Sequence, residues 1–175
     1  MNSATDAPAE ATLAAVIILA AGGGTRMKSA RPKFLHEVGG RSILHRVLDA
    51  ATALEPEHVA VVVGHGRDQV EAHLDEVAPH AVRVPQGDEA YGTGYAAQCA
   101  IAGLPELHGD VVITVGDAPL QTGEALAALV AEHDVAVGED EGEVGVVRRA
   151  VVVGVEGAGE GGDLGEGLAH GAGDL

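Results

Sequence analysis

The stretch Ala14–Lys28, AAVIILAAGGGTRMK, decides the architecture of the chain. Its first seven residues, Ala14–Ala20, are a short apolar run rich in β-branched side chains, the pattern of a strand buried on both faces. Gly22, Gly23 and Gly24 end the run. Glycines directly after a buried strand let backbone N–H groups turn toward an anion, because no Cβ blocks the approach. From Gly22 to about Arg41 the sequence has no clear period. A connection of about 20 residues far exceeds the common length of about 4–6, which marks it as functional.

Downstream, strand and helix patterns alternate. Ser42 is placed to cap a helix running to Leu54, with Ile43, Leu44, Val47, Leu48, Ala51 and Leu54 on one face. His58–Val63 is a second buried strand, ended by Gly64. Asp68–Val77 is a helix with Val70, Leu74 and Val77 inward, and Ala81–Pro85 a third strand. Thr93–Leu104 is a helix, and Asp110–Val115 a fourth strand followed by Gly116-Asp117. Thr122 caps a helix to His133 with Ala125, Leu126, Leu129 and Val130 inward. The order β-α-β-α-β-α-β-α predicts an α/β fold with a mostly parallel sheet and helices on both faces. Such sheets bind ligands at the carboxyl ends of their strands, where both glycine-bearing turns emerge.

Charge narrows the ligand. The 175 residues carry 10 Lys+Arg against 27 Asp+Glu, a net charge of −17 that argues against nucleic acid or an anionic membrane as partner. Yet Val16–Arg46 holds six bases (Arg26, Lys28, Arg31, Lys33, Arg41 and Arg46) and one acid, Glu37. A positive island in an acidic protein suits a phosphate chain. The longest apolar stretch, Leu13–Ala21, is nine residues, well short of the about 20 a membrane span needs, and its upstream flank is acidic, unlike a secretory signal. These features predict a soluble cytoplasmic protein. The single cysteine, Cys99, excludes a disulfide framework and reads as a small core residue on the inward side of its helix. The nine histidines form no H-x₃-H pair on a readable helix, so a zinc site is not expected.

Three phosphate loops can be tested against Leu19–Ser29. The dinucleotide fingerprint G-x-G-x-x-G fits Gly22 and Gly24 but fails at Met27. The P-loop fits Gly22, Lys28 and Ser29 but has Met27 where its second glycine belongs. The pattern L-A-A-G-x-G-T-R-M followed by P-K-x-L is matched by Leu19–Met27 and Pro32–Leu35. At these residues the chain resembles the sugar-phosphate nucleotidyltransferases, and within them the uridyltransferase domain of the bacterial bifunctional N-acetylglucosamine-1-phosphate uridyltransferases. Gly39–Leu44, Val62–His65, Gly92-Thr93-Gly94 and Gly116-Asp117-x-Pro119-Leu120 follow that family's later motifs in order. The molybdenum-cofactor guanylyltransferases share the fold but open with L-A-G-G.

The resemblance implies a Rossmann-like nucleotidyltransferase fold and a division of labour. Leu19, Ala20, Ala21 and Gly22, with Gly24 and Thr25, would contact the uridine and phosphate edge. Arg26 and Lys33 would be catalytic, binding the triphosphate and stabilising charge at the α-phosphorus. Gly92 and Thr93 would bind the uracil and ribose region, and Gly116 the nucleotide. Asp117 would be a Mg²⁺ ligand, although an Asp there also fits an ordinary turn. The implied substrates are UTP and N-acetylglucosamine-1-phosphate; the implied product is UDP-N-acetylglucosamine, a peptidoglycan precursor. Departures exist. Gln86, the counterpart of a uracil-reading glutamine, lies six residues before Gly92 rather than five; Tyr95 replaces a histidine, and Val115 a tyrosine.

Past His133 the resemblance stops. Residues 1–12 read as a disordered lead, 13–133 as the N-terminal half of the nucleotidyltransferase domain, and 134–175 as a low-complexity acidic tail. That tail holds 12 of the 26 glycines and 10 acids, and it lacks the G-Y-G-R and E-x-N-x-G motifs of the family. It also contains no Met, Asn, Ser, Thr, Ile, Lys, Phe, Tyr or Cys. Those residue types fit an out-of-frame translation of a GC-rich gene, or a genuine acidic tail. Either way the tail is expected to build no core, Val151–Val153 being its one strand-like run and Glu139–Glu143 solvated. The sequence thus predicts a chain that binds UTP with little turnover.

Overall fold

The computed structural model describes residues 13–87, 92–136 and 147–153. β1 (Leu13–Ala20) runs through the centre of the sheet. Alternate residues of a strand face opposite sides. Val16, Ile18 and Ala20 accordingly enter one core cluster, and Ala15, Ile17 and Leu19 the other. Both clusters are built almost wholly from aliphatic side chains, because the chain has so few rings to spend.

The connection after β1 is ordered rather than loose. It forms two short 3₁₀ turns, Thr25–Met27 and Lys33–Leu35, and then a small antiparallel hairpin of β2 (Glu37–Val38) and β3 (Arg41–Ser42). Phe34 and Leu35 are buried in the first cluster, which pins the second turn to the body of the domain. α1 (Ile43–Thr52) starts where the Ser42 hydroxyl accepts a hydrogen bond from the His45 N–H at 3.0 Å. It buries Leu44, Val47 and Leu48. β4 (His58–Val63) follows, then α2 (Arg67–Val77), whose Val70 and Leu74 join the same cluster.

β5 (Val82–Pro85) leads to α3 (Thr93–Ala102), which covers the opposite face with Ala96 and Ala100, helped by Leu104 and Leu107. Cys99 packs half-buried against this second cluster. β6 (Gly109–Val115) and α4 (Gly123–Ala136) come next, and β7 (Val147–Val153) ends the described chain. The strand order is β5-β4-β1-β6-β7, and every pairing is parallel, with Ile17 beside Ala60 on one side and Ile113 on the other. Helices α1, α2 and α4 lie on one face and α3 on the other, as the alternating sequence pattern predicts.

Two expectations need correction. Of the four α4 residues expected to face inward, Leu126 is fully buried and Val130 half-buried, whereas Ala125 and Leu129 are exposed. The helix is Ala- and Leu-rich on all sides, so its period cannot select a face. Beyond residue 133 the chain was expected to add nothing to the core, yet β7 pairs with β6. Val151 and Val153 pack against the first cluster. A valine run is a good strand former, and the outer edge of β6 offers it a row of backbone partners. The lead 1–12 and the stretches 137–146 and 154–175, including Glu139–Glu143, lie outside the described residues.

Candidate functional site

The carboxyl ends of β1, β4, β5 and β6 open onto one cleft of about 870 Å³. Leu19, Val63 and Val115 reach it from three strand ends. Ala21–Gly24 follow β1, Gln86 and Gly87 follow β5, and Gly92 and Thr93 open α3. Lys33 and Asp117 complete it, their Nζ and Oδ2 atoms joined in an ion pair. Asp117 is the one acid among the described residues that line the cleft.

Glycine sets the two approaches that hold this pair. Gly24 adopts φ +54°, and a Cβ there would sit 2.8 Å from the Lys33 Cβ. A side chain at that position would therefore be both strained and in the way of Lys33. Gly116 is buried, and its N–H donates to the Leu19 carbonyl at 2.9 Å. A Cβ at Gly116 would lie 3.0 Å from both the Ala20 Cβ and the Leu19 oxygen. The missing side chain lets the end of β6 close on the end of β1, one residue before Asp117 enters the cleft.

The sequence-predicted site residues divide. Leu19, Ala21, Gly22, Gly24, Lys33, Gln86, Gly92, Thr93 and Asp117 share the cleft. Ala20 and Gly116 are buried just behind it. Arg26 is exposed on its 3₁₀ turn and is not among the cleft-lining residues. Thr25 lies in the same turn, its side chain outside the described set. Sequence reasoning missed His65 and Arg67, which line the cleft from the turn after β4 and the start of α2. The signal was present: Gly64-His65-Gly66 is a second glycine turn after a buried strand, at the same edge of the sheet.

Among the described residues no group of three or more His, Cys, Asp or Glu side chains could hold a metal ion. One cleft carboxylate nevertheless suits Mg²⁺, which is usually held by one or two carboxylates together with water and substrate phosphates. The donor set fits a metal that arrives on a nucleotide.

The comparisons agree with this geometry. The sequence matches the MobA-like NTP transferase domain over residues 16–157. The chain belongs to this nucleotidyltransferase family, and its sheet is the α/β Rossmann-like fold of that class. More particularly, it is similar to the bifunctional protein GlmU of Cutibacterium acnes, 56% identical over 121 residues, 69% of this chain and 29% of that protein. It is 54% identical over 125 residues to GlmU of Thermobifida fusca, covering 69% of this chain and 26% of that one. The chain thus spans less than a third of the length of these curated relatives. Among solved structures, a nucleotidyl transferase from Methanothermobacter superposes with TM-score 0.59 at 20% identity, covering 69% of this chain and 57% of that one. The 4-diphosphocytidyl-2C-methyl-D-erythritol synthase of Anaerococcus prevotii gives TM-score 0.55 at 21% identity, covering 70% and 51%. These two show the shared fold.

Proposed function

We propose that the chain binds UTP with Mg²⁺ and supports uridylyl transfer to N-acetylglucosamine-1-phosphate, giving UDP-N-acetylglucosamine and pyrophosphate. The observation that carries this proposal is the gathering of the glycine turn, Lys33, Gln86, Gly92-Thr93 and Asp117 in one cleft at the carboxyl edge of the sheet. A phosphate oxygen of the sugar phosphate attacks the α-phosphorus. The bond from that phosphorus to the bridging oxygen of the β-phosphate breaks, and the electron pair leaves on pyrophosphate. Chemistry of this kind is mostly positioning and charge stabilisation.

Each residue takes a part in it. Ala21, Gly22 and Gly24 present backbone N–H groups to the phosphates, Ala20 serves through its backbone, and Thr25 closes the turn. Gln86, Gly92 and Thr93 hold the uracil and ribose. Lys33 stabilises charge on the triphosphate, and Arg26, exposed on the Thr25–Met27 turn, is assigned the same part. Asp117, set in place by Gly116, holds Mg²⁺. When bound, the metal withdraws charge from the phosphates and eases the approach of an anionic nucleophile.

No helix among the described residues is long and apolar enough to cross a membrane. The test is pyrophosphate release with Mg²⁺, N-acetylglucosamine-1-phosphate and each of UTP, CTP and GTP, alongside thermal shift with the same nucleotides. A UTP-selective shift accompanied by UTP-dependent pyrophosphate release fits the proposal. Selectivity for CTP or GTP, or no shift with any nucleotide, defeats it.

A further inference from the structure

The cleft contains a cation with no part in the scheme above. Arg67 opens α2 and lines the cleft together with His65. Lys33, the other Lys or Arg among the described lining residues, is tied to Asp117. Arg67 has its partner outside the cleft: its Nε donates to Glu71 Oε1 at 2.7 Å, one helical turn on. That bond uses one of the five guanidinium N–H donors and holds the group in place.

Nothing in α2 itself calls for an arginine there. A cation in the first turn meets the positive end of the helix dipole. Arg ahead of Glu at this spacing is also the weaker order of an ion pair along a helix. The dipole disfavours the placement, the reversed ion pair offsets this only weakly, and a bound anion favours it. The position along the cleft is fixed by neighbours. A Cβ built on Gly66 would lie 2.6 Å from the Pro32 Cγ, beside Lys33, and one on Gly23 would lie 3.6 Å from the His65 ring. Arg67 therefore follows a turn packed against both the Pro32-Lys33 segment and the glycine turn, the phosphate side of the site.

We infer that Arg67 binds the phosphates beyond the α-phosphate, which rests on the nucleotide reading of the cleft. Lys33 is paired with Asp117 until a metal takes that carboxylate, whereas Arg67 gives Glu71 one of its donors, so Arg67 supplies a second charge that a nucleoside triphosphate engages and a monophosphate does not. Its planar fork suits two phosphate oxygens at once.

Calorimetric titration of the wild-type chain, Arg67→Gln and Arg67→Lys with Mg²⁺·UTP and with UMP tests this, with an unfolding curve for each variant. Arg67→Gln is expected to weaken UTP binding about tenfold, to leave UMP binding unchanged, and to unfold no earlier than wild type. Arg67→Lys, with charge but no fork, falls between. Equal losses for UTP and UMP, no loss for UTP, or a loss matched by earlier unfolding overturns the assignment. Wild-type protein that binds neither nucleotide overturns the nucleotide reading itself, and Arg67 with it, a result visible before any variant is made.

Discussion

Lys33 and Asp117, 84 positions apart in sequence, meet in the cleft as an ion pair. Lys33 arrives on a 3₁₀ turn anchored by Phe34 and Leu35, and Asp117 on the turn after β6. Each neutralises the charge the other would offer to a ligand. Both side chains are about one-third exposed, so the pair contributes at most about 1 kcal/mol to stability. Its consequence lies in binding.

A metal that takes Asp117 releases Lys33, and a phosphate that takes Lys33 releases Asp117. Metal and triphosphate should therefore bind with positive coupling. Titrating Mn²⁺ by electron paramagnetic resonance, with and without UTP, measures it. Wild-type protein should bind free Mn²⁺ weakly and UTP-bound Mn²⁺ well. Lys33→Met should bind free Mn²⁺ about tenfold more tightly, as expected from losing a neighbouring like charge, while binding UTP less well. Unchanged Mn²⁺ affinity in Lys33→Met would sink the idea.

Glycine substitutions should separate folding from binding. Gly116→Ala drives a methyl into Ala20 and Leu19 and should cost about 1–3 kcal/mol by urea denaturation, the usual cost of overpacking. Gly22 has open space where a Cβ would be, so Gly22→Ala should unfold like wild type. If backbone N–H groups there meet a phosphate, it should still lose UTP affinity. Tight UTP binding by Gly22→Ala would remove the turn from the site.

Acid should loosen the seat of α1 and α2. The Ser42 hydroxyl accepts from the His45 N–H, so its own proton is free to go to His73 Nε2, 2.7 Å away on α2. Burial lowers the His73 pKa below the ordinary histidine value, against the nearby Glu76, while His45 and Arg31 push it down further. The unfolded chain then binds more protons than the folded one below about pH 6.5, and stability should fall as pH drops through that window. Unfolding temperatures between pH 7.5 and 5.5 should fall less for His73→Asn than for wild type. Parallel slopes would contradict the assignment.

The exposed and buried leucines of α4 give a packing test. Leu126 is fully buried against the first cluster, so Leu126→Ala should cost about 2–5 kcal/mol in urea. Leu129 is 40% exposed, and Leu129→Ala should change stability by less than about 1 kcal/mol. Equal costs would mean that α4 presents another face to the sheet.

Much of this was legible in the sequence because β1, β4 and β6 are buried on both faces and read as continuous apolar runs. His58–Val63 is reproduced residue for residue. The lining of the cleft was legible wherever a motif sits on a strand end: Leu19, Gly22 and Asp117 are placed there by the sheet itself. It was not legible where position depends on packing between distant segments. Arg67 enters the cleft through the contact of Gly66 with Pro32, and Arg26 is exposed outside it, distinctions no spacing along the chain records. β7 was read only at its Val151–Val153 end. The glycine and acid surrounding Val147–Val153 hid the rest of a strand whose partner, the edge of β6, exists only once the sheet has formed.

The strand order bears on how the molecule comes into being. β1 is made first among the described strands and ends up in the middle, yet none of its pairings is local. One flank waits for His58–Val63 and the other for Gly109–Val115. Closing such loops precedes any reward from pairing, which slows folding relative to hairpin-built proteins. During synthesis the most apolar stretch of the chain therefore emerges from the ribosome with its right neighbour still unwritten, and Leu19–Gly24 can take working shape only after the codons for β6 have been read.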